Sequence, residues 1–408
     1  MKKLFPNQAE AIANSLYAIL EEKKRATRVL ERCVEDHPKW GARDRNLLYN
    51  ACFEIIRWKR KYNYIAGLEE HDFSPWPFIK TWCILNDYSL PGWKEMDCPP
   101  FKTKEELMAI EFPSTAIAQS YPDWLFKLGK KELKNQWEKE AIASNQKAGI
   151  ALRVNRLLAS PKKIAQSLKD NYQLETEIKD GFPDALFLSK GRKLNKNPLF
   201  KQGNFEIQDA NSQSIAPFCQ VAPGMKVIDL CAGAGGKTLH LASLMRNKGA
   251  LNAFDIEVNK LRELEKRIKR AKVKIVQSLA LPPSSSMDQL NQWADRVLID
   301  APCSGLGTLK RNPEVKWNLT QEQLTALLQT QRDLMLKGAS MVRPGGALIY
   351  ATCSLLPSEN QEQTAWFLDQ NLHFKLDREK IHSPSESAFD GFYMARLVKR
   401  KRINCSRV

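Results

Sequence analysis

The chain has 408 residues, 43% hydrophobic, and Lys plus Arg outnumber Asp plus Glu by 63 to 46, a formal net charge of +17. That length allows two or three domains, and the positive balance favours a polyanionic partner, nucleic acid first, although many soluble proteins are basic. No stretch approaches the roughly 18 uninterrupted apolar residues of a membrane span. Met1-Lys2-Lys3-Leu4-Phe5-Pro6-Asn7 lacks the apolar core of a signal peptide, so a cytoplasmic chain without a membrane partner is expected. Nine cysteines, an odd number without regular spacing, should be reduced there, which leaves catalysis or burial as their uses. No CxxC pair or His/Cys cluster has metal spacing, so no metal is expected.

Residues 4 to 70 read as helical. Ile12, Leu16, Ile19 and Leu20 share one helix face, and Leu48, Cys52, Ile55 and Ile56 repeat the pattern. Between them runs a basic face that includes Arg25, Arg45, Arg57, Arg60 and Lys61. Residues 71 to 104, rich in Trp and Pro, are expected to form short helices and irregular loops. Lys130 to Asn145 is a further helical stretch. From Ala151 the texture changes. Ala151 to Asn155 predicts a short strand, Pro161 opens a helix with Ile164 and Leu168 on one face, and Ala185 to Leu188 is strand-like. Together they predict a small α+β unit, followed by a polar connector from Gly191 to Gly203.

The remainder alternates. Strands are predicted at 226–230, 251–254, 274–277, 296–299, 347–350, 374–376 and 392–397, and helices at 237–245, 258–270, 321–341 and 358–371. This alternation predicts an α/β doubly wound sheet. The expected organisation is a helical domain over 1–115, a helical linker with the α+β unit over 116–205, the doubly wound domain over 206–402 and a tail over 403–408.

Val227-Ile228-Asp229-Leu230 enters a turn holding Gly233, Gly235 and Gly236, and a helix leaves it. Glycines let the backbone approach a ligand closely. The carboxyl end of a first strand is where open α/β sheets bind ligands. Asp255, about twenty residues on at the end of the second strand, suits both hydroxyls of a ribose, and capping the next helix is its other use. The spacing matches neither a phosphate loop, G-x-x-x-x-G-K-[ST], nor the dinucleotide G-x-G-x-x-G. A nucleoside without a pyrophosphate fits, which points to S-adenosylmethionine.

Two thiols follow later strands, in Asp300-Ala301-Pro302-Cys303-Ser304-Gly305 and in Ala351-Thr352-Cys353-Ser354. Thiols beside a cofactor loop suggest covalent chemistry on a ligand held there. With Asp229–Thr238, these motifs resemble the Sun/Nop2-type RNA 5-methylcytosine methyltransferases. Gln208–Gln213, Arg311–Trp317 and Asp390–Tyr393 add to a match that covers about residues 115 to 400. The N-terminal helices resemble the NusB-like domain of the bacterial 16S ribosomal RNA cytosine methyltransferase of that family.

The resemblance implies a Rossmann-like methyltransferase domain, S-adenosylmethionine as cofactor, and RNA as substrate and partner, small-subunit rRNA first. A thiolate that adds to carbon 6 of cytosine turns carbon 5 into a nucleophile, and cysteine both ionises near neutrality and leaves readily. By resemblance Cys353 is the nucleophile, Cys303 assists breakdown of the adduct, and Asp300 contacts the cytosine ring. Cys231, Ala232, Gly233, Ala234, Gly235, Gly236 and Lys237 would line the cofactor site, with Asp255 on the ribose and Asp300 beside it. Cys231 would act through its backbone, and the cysteines outside these motifs are structural.

Arg153, Asn155 and Arg156 match the family's Arg-Val-Asn signature and, with Arg311 and Lys316, are the expected RNA contacts. The basic helix from Lys260 to Arg270 serves either as a solvated face or as a phosphate contact. A monomer is expected. Two positions depart from the family: Leu279 stands where an acid near the adenine is usual, and Gly233-Ala234 where many relatives carry Ala-Pro. Two rivals remain: a DNA cytosine methyltransferase using Cys303, against which Cys353 argues, and an RNA-binding ribosome-assembly factor without catalysis, which Leu279 keeps open.

Overall fold

The apolar spacing near the start of the chain does build helices. In the computed structural model Pro6–Leu20 and Ala42–Arg57 bury Ile12, Leu16, Ile19 and Leu20 against Leu48, Cys52, Ile55 and Ile56. The helices Ala26–Asp36, Lys59–Ala66 and Pro75–Leu85 complete this core. The structure describes residues 2–68, 73–189, 194–281 and 284–401, the side chains of 284–286 excepted. Residues 191–193 of the connector, Arg402, Cys405 and the expected tail over 403–408 lie outside the described residues.

The chain divides into two compact units, 1–146 with 309–320, and 147–308 with 321–408. The first unit thus runs past residue 115, where the sequence suggested a boundary, to residue 146. In this unit strands β1 (Lys2–Lys3) and β2 (Tyr88–Ser89) form one short parallel pair. Pro75–Leu85 is an eleven-residue helix in the stretch where short helices and irregular loops were expected. Its prolines lie in the first turn, where the missing N–H costs nothing, and Phe78, Ile79, Trp82 and Cys83 bury its body. The helical stretch expected from Lys130 to Asn145 is broken. Asp123–Leu133 ends at Lys134, whose φ is +52°, and Trp137–Ser144 starts afresh.

The segment 309–320 closes this unit. Arg57 donates to the carbonyls of Leu309 (3.0 Å) and Lys310 (2.9 Å). Trp317 Nε1 donates to the Ile56 carbonyl at 2.7 Å, and its ring packs on the helical core. Arg57 is thus turned inward from the basic face on which it was expected, and burial lowers its pKa.

The second unit holds two sheets. Strands β3 (Ile150–Val154), β4 (Ala185–Leu188) and β5 (Phe205–Ile207) form an antiparallel sheet of order β4-β3-β5, covered by the helix Pro161–Tyr172 through Ile164 and Leu168. The larger sheet comprises β6 (Lys226–Asp229), β7 (Ala250–Asp255), β8 (Val276–Ala280), β9 (Ala294–Asp300), β10 (Val342–Thr352), β11 (Phe374–His382) and β12 (Phe392–Lys399). Its order is β11-β12-β10-β9-β6-β7-β8, with β12 antiparallel to both neighbours and the other pairs parallel.

This is the Rossmann-like, doubly wound sheet that the alternation predicts, and strand order reverses between β6 and β9, where such sheets bind ligands. Pairing of β8 starts at Val276 opposite Leu251, two residues later than predicted, because the Lys274 N–H is taken by Asn247 Oδ1 in the preceding turn. The last helix spans Gln361–Gln370, shortened because Pro357–Glu359 forms a separate 3-10 turn. Among the described residues no helix is long and apolar enough to cross a membrane.

The small sheet is held to the large one by buried polar contacts. Asn155 donates to the carbonyls of Gly203 (3.1 Å) and Ala271 (2.9 Å). Gly203 has φ +79°, and a Cβ there would stand 2.1 Å from the Arg270 carbonyl oxygen. Gly203→Ala is expected to cost about 2 kcal/mol or more, as a lower midpoint in chemical denaturation, since backbone must move to admit the methyl group.

Candidate active site

The parallel strands end on one rim. Asp229, Asp255, Asp300 and Thr352 terminate β6, β7, β9 and β10. β9 and β10 run in register up to the pair Asp300–Ala351, and the Ala301 N–H donates to the Ala351 carbonyl at 2.8 Å beyond it. The two loops therefore leave the sheet side by side, and Cys303 Sγ lies 3.4 Å from Cys353 Sγ. Both residues are half-buried, so neither thiol is sealed in the hydrocarbon core. The hydrogen bond with Cys353, then burial, pushes the Cys303 thiol well up from its ordinary pKa.

The glycine turn is pinned on three sides. Asp255 accepts the N–H of Gly233 on one carboxylate oxygen and that of Glu257, at the start of the next helix, on the other, each at 2.8 Å. Asp255 thus shapes the turn into the next helix rather than capping its first N–H groups, and each carboxylate oxygen keeps a second lone pair. Arg267 donates to the Ala234 carbonyl at 2.7 Å, and Arg153 to the Gly236 carbonyl. Gly235 has φ +85°, and a Cβ there would strike Leu264 at 2.1 Å, so the turn closes onto the helix Val258–Arg270 only with glycine. Around Gly233, by contrast, nothing lies within 4 Å of a built Cβ. The Gly233 side of the turn is therefore open. Cys231 is half-buried, and burial raises its thiol pKa.

Lys237, at the start of the helix Gly236–Leu244, places Nζ 2.5 Å from Asp300 Oδ2. Burial would lower its pKa, but the Asp300 carboxylate more than offsets this, and the net shift is upward. Asp229 is fully buried, accepts from Thr238 Oγ1 at 2.7 Å, and has no partner on Oδ1 among the described residues. Burial raises its pKa to about 7. Leu279 is 40% exposed near the end of β8, opposite Phe254, so no carboxylate stands at that point of the rim. A cavity of about 350 Å³ lies elsewhere in this unit, lined by Phe182, Ser214, Phe218, His240 and Lys380.

Several expected RNA contacts are turned inward. Arg153 is 3% exposed, bonded to Gln208 Oε1 at 2.6 Å as well as to the glycine turn, and burial lowers its pKa to about 10. Asn155 is buried in the joint between the two sheets. Lys316 is fully buried, with Nζ donating to the Arg57 carbonyl (2.9 Å) and to Asn145 Oδ1 (3.1 Å), and burial holds its pKa well below the usual lysine range. All three side chains are buried and hydrogen-bonded to protein groups. Arg156 is exposed, 3.6 Å from Asp184, and Arg311 is half-buried. Of the basic helix, Arg267 and Arg270 pair with the buried Glu206.

Motifs remote in sequence meet at this rim. Asp209 caps the helix Ala210–Gln213 and accepts the Asp390 N–H at 3.1 Å, while Asn211 donates to the Asp390 carbonyl at 2.9 Å. Sequence reasoning missed Glu359 and Gln331, buried polar residues that tie the two thiol loops. No spacing rule marks them.

The family model for 16S rRNA methyltransferase RsmB/F matches residues 219–402, and that for the ferredoxin-like domain of RsmF/B-like methyltransferases matches 121–195. The Ribosomal RNA small subunit methyltransferase B of Enterobacter sp. (strain 638) is 30% identical over 308 residues, 73% of this chain and 71% of that protein. The protein of that name from Vibrio vulnificus (strain YJ016) is 33% identical over 307 residues, again 73% and 71%. This chain belongs to the RsmB/F family. The resemblance read from its motifs therefore holds at the level of the family, and the RsmB/F methyltransferase match covers the whole of the large sheet, from β6 to β12. The crystal structure of NSun6 from Pyrococcus horikoshii with SFG shares the fold, with a TM-score of 0.63 over 69% of this chain and 98% of that one at 22% identity.

Two outcomes are expected. Asp229 binds a proton in the folded state up to pH about 7 but, unfolded, only up to about 4. Its stabilising contribution is thus full below about pH 4 and lost as pH rises through 7. Urea denaturation should show Asp229→Asn gaining on the wild type as pH rises from 5 to 8. Lys316→Met should leave RNA affinity and its salt dependence unchanged in a filter-binding titration, whereas loss of a phosphate contact would reduce the slope by roughly 0.9.

Proposed function

We propose that this RsmB/F-family methyltransferase transfers a methyl group from S-adenosylmethionine to carbon 5 of a cytosine in small-subunit ribosomal RNA, in the cytoplasm, through a covalent Cys353–cytosine adduct. The observation that carries the reading is the thiol pair, Cys303 and Cys353 at 3.4 Å, on the same rim as the Lys237–Asp300 pair and the glycine turn. The substrate class is supported by the names of the relatives, and the cofactor by the fit of the open turn and Asp255 and by the SAM analogue SFG in NSun6.

Cytosine carbon 5 is a poor nucleophile until carbon 6 is saturated. The Cys353 thiolate forms the sulfur–carbon 6 bond and pushes the ring double-bond electrons toward carbon 5. S-adenosylmethionine, held along Cys231–Lys237, would supply the electrophilic methyl that carbon 5 takes and would leave as S-adenosylhomocysteine. Transfer of the carbon 5 proton to water in the site then re-forms the ring double bond and expels Cys353 as thiolate. Cys303, next to the leaving sulfur, assists this release. Asp300 accepts from the exocyclic amine of the cytosine, and Lys237 balances its charge. The base must be unpaired or extruded for a thiol to reach its ring face, so selectivity rests on RNA shape and flanking bases. Arg156 and Arg311 are the remaining RNA contacts.

Trapping on 5-fluorocytosine RNA with S-adenosylmethionine tests the roles. The wild type is expected to form a gel-stable adduct, Cys353→Ala none, and Cys303→Ala an adduct that persists even on unfluorinated RNA. An adduct in Cys353→Ala and none in Cys303→Ala would reverse the assignment. Bisulfite sequencing of rRNA from a deletion strain reads the target, and no lost 5-methylcytosine in any RNA would refute the reading.

A further inference from the structure

Glu359 is fully buried, and its carboxylate accepts four hydrogen bonds, all from neutral donors. Oε1 takes the Ser304 N–H at 2.8 Å and Gln331 Nε2 at 3.0 Å. Oε2 takes the hydroxyls of Ser304, at 2.5 Å, and of Ser354. Ser304 directly follows Cys303, and Ser354 directly follows Cys353. The two hydroxyls also meet, at 3.2 Å. Gln331 reaches on to the carbonyl of Pro302, the residue before Cys303, at 3.1 Å. The Glu359 main-chain carbonyl is held from β10 by Tyr350 Oη at 2.7 Å. A buried carboxylate without a cation is costly unless every lone pair is used, and here the donors that use them come from both thiol loops.

We propose that Glu359 is the positioning residue of the thiol pair, the tie that sets the separation and orientation of the Cys303 and Cys353 loops. Each loop leaves a different strand, and beyond the Ala301 bond their main chains meet through the Gly307 N–H, which donates to the Cys353 carbonyl at 2.8 Å, a contact that fixes the backbone but reaches neither serine. One carboxylate bonded beside each cysteine supplies a shared reference point. The charge has a second consequence. Glu359 is one of the groups that raise the Cys303 pKa, after the Cys353 hydrogen bond and burial. It therefore helps hold the Cys303 proton, which lets Cys303 donate to the Cys353 sulfur before attack. The proposal rests on the functional reading above only for its kinetic part.

The test uses Glu359→Gln in the full chain, with Ser304→Ala and Ser354→Ala as variants that each remove one tie and keep the charge. Iodoacetamide labelling of the native protein, read by peptide mass mapping from pH 6.5 to 9, gives the rate at each thiol without RNA or cofactor. In Glu359→Gln the ratio of Cys303 to Cys353 labelling is expected to rise at least fivefold, with the Cys303 profile displaced to lower pH. On RNA, kcat should fall at least tenfold while KM for S-adenosylmethionine holds. Each serine variant should change the labelling ratio at least threefold.

A folded Glu359→Gln protein with the wild-type labelling ratio and pH profile would overturn the proposal. If that variant does not fold, wild-type ratios in both serine variants would do so. A changed ratio in a protein that methylates no cytosine would uphold the positioning role and refute the proposed reaction instead.

Discussion

Everything at this site depends on the parallel pairing of β9 with β10. Its register, closing at Asp300 opposite Ala351, delivers two cysteines fifty residues apart to within 3.4 Å. Side chains alternate across a sheet, so a slip of one residue would send Thr352 or Asp300 to the opposite face and part the thiols. The interior of both strands is apolar and buried, from Val297 to Ile299 and from Ala347 to Ala351, which makes such a slip expensive. Core packing and chemistry are therefore one constraint.

A second theme is the use of buried charge as mortar. In a chain of net charge +17 the reading of each cation as a phosphate contact is tempting. Arg153 and Arg267 instead hold carbonyls of the glycine turn, Arg267 and Arg270 share Glu206, and Lys316 is sealed among Arg57, Asn145 and Tyr121. A turn of glycines has many conformations of its own. Guanidinium donors on its carbonyls and Asp255 on the Gly233 N–H select one before any ligand arrives, so less ordering is left for binding. Glu359 does for the thiol loops what these groups do for the turn.

How much was legible follows from what each signal depends on. The strands that end at Asp229, Asp255, Asp300 and Thr352 were readable because short, largely apolar runs between turn residues have few other uses. The bounds of the helix Pro75–Leu85 were not, because proline ends a helix in mid-course but is welcome in its first turn, and only the fold shows which applies. The expected helix over Lys130 to Asn145 failed for the converse reason: charge is compatible with helix, but periodicity does not reveal a φ of +52° at Lys134.

By itself the amino-acid sequence determined the alternation of elements, the glycine turn at the first strand end, the two Cys-Ser motifs and hence the family, since these depend on local spacing and residue type. The tertiary structure alone decided that the thiols touch, that Lys237 meets Asp300, that Arg153, Asn155 and Lys316 face inward, and that Glu359 joins the loops. Those outcomes turn on the direction of side chains from elements far apart in the chain. Charge and spacing are silent about direction, because one lysine serves a solvated face or a buried joint according to what is folded against it.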